Sequence, residues 1–167
     1  MMALTREDLQ HALSKSNVRA FLRVIREGET DQTGNAYRKL VGDLPGVYSL
    51  TSLKDHPRRV VWIDSLKVMS SAAGAYQFLT RTWDEMAQQY GFEDFGSACQ
   101  DEAATGLLLR RKSLGAIIAG DLKTALEKCS YEWASLPPGR YGQPIISEFK
   151  AMAVYEKWGG SYSDPDA

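Results

Sequence analysis

The sequence predicts an α+β fold: one mostly helical domain carrying a small, irregular β region. Three observations carry that prediction. The chain has 167 residues, close to the roughly 150 expected of a single domain. Apolar residues recur at helical spacing near the N-terminus and again through the second half. Between Thr30 and Ser71 that period disappears, and Gly34, Gly42, Pro45 and Gly46 mark turns instead.

The elements follow in order. Thr5-Arg6-Glu7-Asp8 has the form of a capping box, with Asp8 in the place of the usual Glu or Gln. It opens a short helix from Arg6 to about Lys15. Asn17 is placed to cap a second helix, in which Val18, Phe21, Leu22 and Ile25 form one apolar face. Gly28 is read as the stop of that helix, since glycine takes the left-handed position after a helix without steric penalty. Tyr37–Val41 and Val60–Ile63 read as short strands. After Gly74, Tyr76, Leu79, Trp83, Met86 and Tyr90 form one stripe that Gly91 ends. Ser97 is placed to cap the next helix, and Ile117-Ile118 lie in a short apolar piece. Asp121 caps a helix with Leu122, Ala125, Leu126 and Cys129. Pro137-Pro138-Gly139 breaks the chain, and a last helix runs from about Pro144 to Trp158. Residues 1–17 are expected to form a helical extension, 18–160 the single domain, and 161–167 a polar tail.

Composition excludes several classes. Hydrophobic residues make up 44% and charged residues 25%, too apolar for a disordered chain. Twenty Lys+Arg against 21 Asp+Glu leave a net charge of -1. No strong field would draw the chain onto nucleic acid. No run of apolar residues is long enough to span a membrane, and the acidic N-terminus has no apolar stretch of a secretory signal. Cys99 and Cys129 are too few for a disulfide framework. Two buried thiols are the expectation, and their pairing is left open. With two His and no Cys-x-x-Cys, a zinc site is not expected.

Chemistry is sought among the carboxylates first. Glu27 falls in the last turn of the second predicted helix. The negative end of the helix dipole disfavours an anion there, and a carboxyl kept protonated near neutral pH can act as a general acid. Tyr37, Tyr48 and Tyr141 lie in turn-rich segments, where amphipathic rings suit carbohydrate faces. His56, within Asp55-His56-Pro57-Arg58, could bind a ligand or tie its loop. Arg110-Arg111-Lys112 reads as a solvated helix end. No phosphate-binding loop and no Gly-x-Ser-x-Gly elbow occurs.

In order along the chain, Ala20-Phe21-Leu22 with Glu27-Gly28, Asp55-His56-Pro57-Arg58 and Ala73-Gly74-Ala75-Tyr76-Gln77 are followed by Gln100-Asp101. Then come Cys129-Ser130-x-x-Trp133-Ala134-Ser135-Leu136-Pro137 and Tyr141-Gly142-Gln143. These blocks, spanning residues 18–160, resemble the bacteriophage lambda-type endolysins, lytic transglycosylases of the lysozyme superfamily. The resemblance implies a lysozyme-like fold with a cleft between the helical body and the β region. It implies Glu27 as the single essential acid, with Tyr37, His56, Gln77, Tyr141 and Gln143 contacting substrate. The family often has Glu-Gly-Thr, whereas this chain has Glu27-Gly28-Glu29-Thr30, so Glu29 competes for the catalytic role. Glu27 is preferred because it ends the striped helix and precedes the glycine.

The resemblance further implies cleavage of peptidoglycan between N-acetylmuramic acid and N-acetylglucosamine, giving a 1,6-anhydro product without metal or cofactor. The Asp and Thr that related muramidases place nine and fifteen residues after their Glu correspond here to Ala36 and Gly42. A hydrolase needs a second carboxylate, and Asp31 and Asp43 are the nearest alternatives. A water-using muramidase and a non-catalytic wall-binding module remain the competing readings. The expected partners are glycan strands, with no nucleic acid and no membrane insertion. The expected course is a monomer that accumulates in the host cytoplasm and reaches the periplasm through a separate holin.

Overall fold

A computed structural model describes residues 3–163. The described residues form seven α-helices and one two-stranded antiparallel sheet. In chain order they are α1 (Arg6–Leu13), α2 (Ser16–Glu29), a 3-10 turn (Gly34–Arg38), β1 (Val61–Ile63), β2 (Val68–Ser70), α3 (Thr80–Tyr90), α4 (Ser97–Arg110), α5 (Leu114–Ala119), α6 (Leu122–Cys129) and α7 (Glu148–Lys157).

Helix α2 is the centre of the helical body and packs against α1, α4, α5 and α7. Its buried Val18, Phe21, Leu22 and Ile25 are the stripe the sequence predicts, joined by Ala20 and Val24. The predicted cap is not there. The helix starts at Ser16, and Asn17 is buried inside it. The Asn17 amide donates to Ile117 O and Ser161 O, and its carbonyl accepts from Ser161 N at 2.9 Å. Asn17 therefore ties α2 to α5 and to the start of the C-terminal tail. The rest of the tail expected at 161–167 lies outside the described residues.

The first helix is capped as predicted, with Asp8 Oδ2 accepting from Thr5 N at 2.7 Å. It is not a loose extension. Leu9 is fully buried, α1 packs on α4, and Arg6 pairs with the buried Glu102 at 3.0 Å.

The β region is smaller than predicted. Tyr37 falls in the 3-10 turn, and of Tyr37–Val41 only Leu40 pairs, in an isolated bridge to Ala73. Val61–Ile63 forms β1, and its partner β2 was not legible as a strand. The register is Val61↔Ser70, Trp62↔Met69 and Ile63↔Val68. A three-residue strand bounded by Lys67 and Ser71 has too little pattern to be read locally.

Helix α3 begins only at Thr80, because Ala73 and Phe78 pair across a tight reversal with Gly74 and Gln77 at positive φ. The Gly74 hydrogen faces the Gln100 amide and the Phe95 ring, so a side chain there would collide with both. Gly91 ends α3 in the left-handed conformation, and Asp121 caps α6 through Thr124 N, both as predicted. Helix α7 starts four residues later than Pro144, behind a Ser147 cap. An aromatic cluster centred on Phe95, Trp83 and Phe78 fills the core between the β region and α3.

Candidate active site

A cleft opens where the end of α2, the β1–β2 hairpin and the loop after α6 meet. Glu29, Ile63, Met69, Gln77, Trp133 and Gln143 line it. The loop after α6 is anchored at two points. Trp133 Nε1 donates to Tyr76 O at 3.0 Å, and Ile146 N donates to Ser135 O at 2.9 Å.

Glu29 is the last residue of α2 and the carboxyl at the head of this cleft. Ser135 Oγ donates to its Oε1 at 2.8 Å. The residue keeps partial solvent access through the cleft, but its carboxyl lies deep among protein atoms. Desolvation pushes it up to about 7, against the pull of the Ser135 bond.

Glu27 faces elsewhere. At 3.6 residues per turn, two positions rotate a side chain by about 200°, so Glu27 and Glu29 leave opposite sides of α2. Glu27 Oε2 accepts from Gln32 Nε2 at 2.9 Å, and Oε1 pairs with Lys150 Nζ on α7 at 3.5 Å. It contributes nothing to the cleft lining. The sequence reading names Glu27 as the acid, but the carboxyl that this end of α2 turns into the cleft is that of Glu29. The difference comes from Gly28, which does not end the helix. It is helical, and a Cβ on it would overlap the Ser135 hydroxyl.

Two further expectations change. His56 is buried beneath the surface and does not face the cleft. Its Nδ1 accepts from Arg58 N at 3.0 Å, so Nε2 carries the proton and donates to Phe78 O at 2.7 Å. Burial holds its ring below the usual imidazole range, so it is neutral and ties the 55–58 loop to the core. Tyr37 is also turned away from the cleft. Its hydroxyl donates to Asp101 Oδ1 at 2.9 Å, and the same oxygen accepts from Tyr76 at 2.6 Å. The buried Arg26 reaches this cluster through Tyr37.

Gln77 and Gln143 do line the cleft. Gln77 Nε2 donates to Gly74 O at 2.9 Å, which fixes the amide at the edge of the reversal. Tyr141 stands exposed on the same loop as Gln143, its hydroxyl donating to Tyr131 O at 3.0 Å, and it is not among the cleft-lining residues. Ser135, Trp133 and Glu132 received no site role from the sequence, although Trp133 and Ser135 lie in its longest motif block. Glu132 lines the same cleft, and Arg110 and Arg111 hold its carboxylate at 3.2 and 3.4 Å.

Asp31 and Asp43 lie outside the lining. Asp31 accepts from Thr33 and Tyr48, and Asp43 from Leu40 N and Ser49. Both cysteines are free and buried, and burial pushes Cys99 up to about 11 and Cys129 up to about 12. Glu93, Asp94 and Cys99 converge as metal ligands could, but the Arg6 guanidinium is bonded to Glu93 and Cys99. A resident cation there already opposes a metal ion.

Comparisons with known proteins identify the family and the fold. An endolysin family model matches residues 19–162. The endolysin of Escherichia phage lambda is 33% identical over 150 residues, covering 89% of this chain and 94% of the relative. The endolysin of Escherichia phage P2 is 32% identical over 154 residues, covering 86% and 93%. A solved structure of bacteriophage lambda lysozyme complexed with a chitohexasaccharide superposes with a TM-score of 0.78 at 33% identity. That match covers 88% of this chain and 96% of the solved one. The fold is thus that of lambda lysozyme, mostly helical with a small two-stranded sheet, and the chain belongs to the endolysin family.

Proposed function

We propose that this chain is a phage enzyme that degrades peptidoglycan. In this reading it cleaves the β-1,4 bond between N-acetylmuramic acid and N-acetylglucosamine as a lytic transglycosylase. The observation that carries the reading is the Glu29 carboxyl, pushed up to about 7 by burial and held in a cleft beside Gln77 and Gln143.

A carboxyl raised to about 7 keeps a large protonated fraction at neutral pH and can protonate the leaving O4 as C1–O4 breaks. The resulting carboxylate then takes the proton of the muramic acid 6-hydroxyl as that oxygen bonds to C1. Glu29 returns to its starting state, and the product is a 1,6-anhydro sugar. The attack is intramolecular, which supplies an effective molarity on the order of 10⁵ M or more. Gln77 and Gln143 orient the sugar by hydrogen bonds. Neither step requires a metal or a cofactor.

A second reading has one specific observation in its favour. Glu132 lines the same cleft, paired with Arg110 and Arg111, and a second carboxyl is what a water-using muramidase requires. Mass spectrometry of sugars released from purified peptidoglycan decides between them. Anhydro-muramic ends, lighter by one water than reducing ends, are the expected result. Reducing ends would overturn the transglycosylase and move attention to Glu132. No release by folded protein would leave a wall-binding module.

Tyr141 is proposed as a glycan contact outside the cleft lining, because its half-exposed ring stands on the loop that brings Gln143 to Glu29. Tyr141→Ala is expected to weaken sedimentation with peptidoglycan by roughly fivefold, about 1 kcal/mol, with the fold retained. Unchanged sedimentation would remove Tyr141 from the binding set. The same reading has the protein act as a monomer in the periplasm, after accumulating in the host cytoplasm and passing a lesion made by a separate holin. Among the described residues, no helix is long and apolar enough to cross a membrane.

A further inference from the structure

We propose that Ser135 is a positioning residue for the Glu29 carboxyl, and that Gly28 is needed in α2 because it admits Ser135 to that place. The proposal rests on the reading of Glu29 as the acid. Ser135 is buried, its hydroxyl donates to Glu29 Oε1 at 2.8 Å, and its carbonyl is held by Ile146 N at 2.9 Å. Two residues before it, Trp133 is fixed to Tyr76 O. The loop therefore presents the hydroxyl from a rigid mount on both sides.

The second observation comes from the opposing surface. Glycine inside a helix is disfavoured relative to alanine, yet Gly28 is helical one residue before Glu29. A Cβ at this position would collide with both Oγ and Cβ of Ser135. The close approach of backbone to hydroxyl explains the glycine, and it leaves Ser135 within reach of the carboxyl and not above it.

The hydroxyl also acts on the proton. A donor to the ionised carboxylate favours that form, while burial opposes it. The two influences meet on Glu29, and burial is the larger. In Ser135→Ala only the backbone N–H of residue 135 is left to oppose burial, and the carboxyl holds its proton to higher pH. The descending alkaline limb of kcat/KM reports the acid in the free enzyme. It is expected to move upward.

The experiment is the pH profile of peptidoglycan solubilisation by Ser135→Ala, Gly28→Ala and the double variant. Each single variant is expected to shift the alkaline limb up by about one pH unit, with kcat at the optimum reduced roughly tenfold. The double variant is expected to shift it no further than either alone, because both remove the same contact. An unmoved limb in folded Ser135→Ala would overturn the proposal, whatever its kcat. If Ser135→Ala does not fold, Gly28→Ala carries the same test. Glu29→Gln separates the two failures. If it is inactive and the limb does not move, positioning alone is wrong. If it retains activity, the acid is misassigned and the proposal falls with it.

Discussion

Glu29→Gln is expected to reduce lysis by roughly 10²- to 10⁴-fold, the usual worth of a general acid, while leaving the fold intact. The amide is nearly the same size and its oxygen can still accept from Ser135. Stability should move the other way. The Glu29 carboxyl rises from the ordinary value of 4.5 to about 7 on folding. The folded state therefore holds its proton more tightly than the unfolded one, and the group costs stability as pH rises from about 4.5 through 7. Above that range the cost is complete, and below it the cost vanishes. Thermal unfolding of the Gln variant should match the parent at pH 4 and exceed it at pH 8. Glu27→Gln is the control. It removes a surface pair with Lys150, worth at most about 1 kcal/mol, and should keep activity within about twofold. Lysis lost in Glu27→Gln and kept in Glu29→Gln would return the acid to Glu27.

Asp101→Ala is expected to destabilise the protein by about 3 kcal/mol, lowering the melting temperature by roughly 6–12 °C for a chain of this size. Burial pushes the Asp101 carboxyl up, and the hydroxyls of Tyr76 and Tyr37 draw it back down. Alanine would leave both hydroxyls without their acceptor, and would remove a carboxyl that the buried Arg26 attracts. Asp101→Asn keeps an acceptor and should lose much less. The effect should reach the cleft, because Tyr76 also holds Trp133 and hence the loop carrying Ser135. Circular dichroism melts check the prediction. A melting temperature within 1–2 °C of the parent for Asp101→Ala, a band set by the ~2–4 °C expected per kcal/mol, would show the cluster contributes little.

Several local features were legible in the sequence. The apolar stripe of α2, the Thr5–Asp8 capping box, the Asp121 cap and the Gly91 terminus all depend on residues within about one or two turns of each other. Elements that exist only through distant partners were missed or misplaced. Strand β2 is a strand because β1 lies beside it, and Asn17 is a tie between segments because Ser161 and α5 come to it. Tyr37 and His56 have residue types that suit a sugar cleft, but their hydroxyl and imidazole are committed to Asp101 and Phe78.

The sequence by itself determined the family, the helical frame and the short stretch of α2 in which both candidate acids lie. Its ordered motif blocks span nearly the whole chain, and periodicity is a local property. Only the tertiary structure shows which of Glu27 and Glu29 lines the cleft. That choice turns on whether Gly28 ends α2 or continues it, and Gly28 continues it with Ser135, 107 positions away, packed against its bare backbone. Two more residues of helix, about 200° of rotation, turn Glu29 into the cleft and leave Glu27 on Lys150.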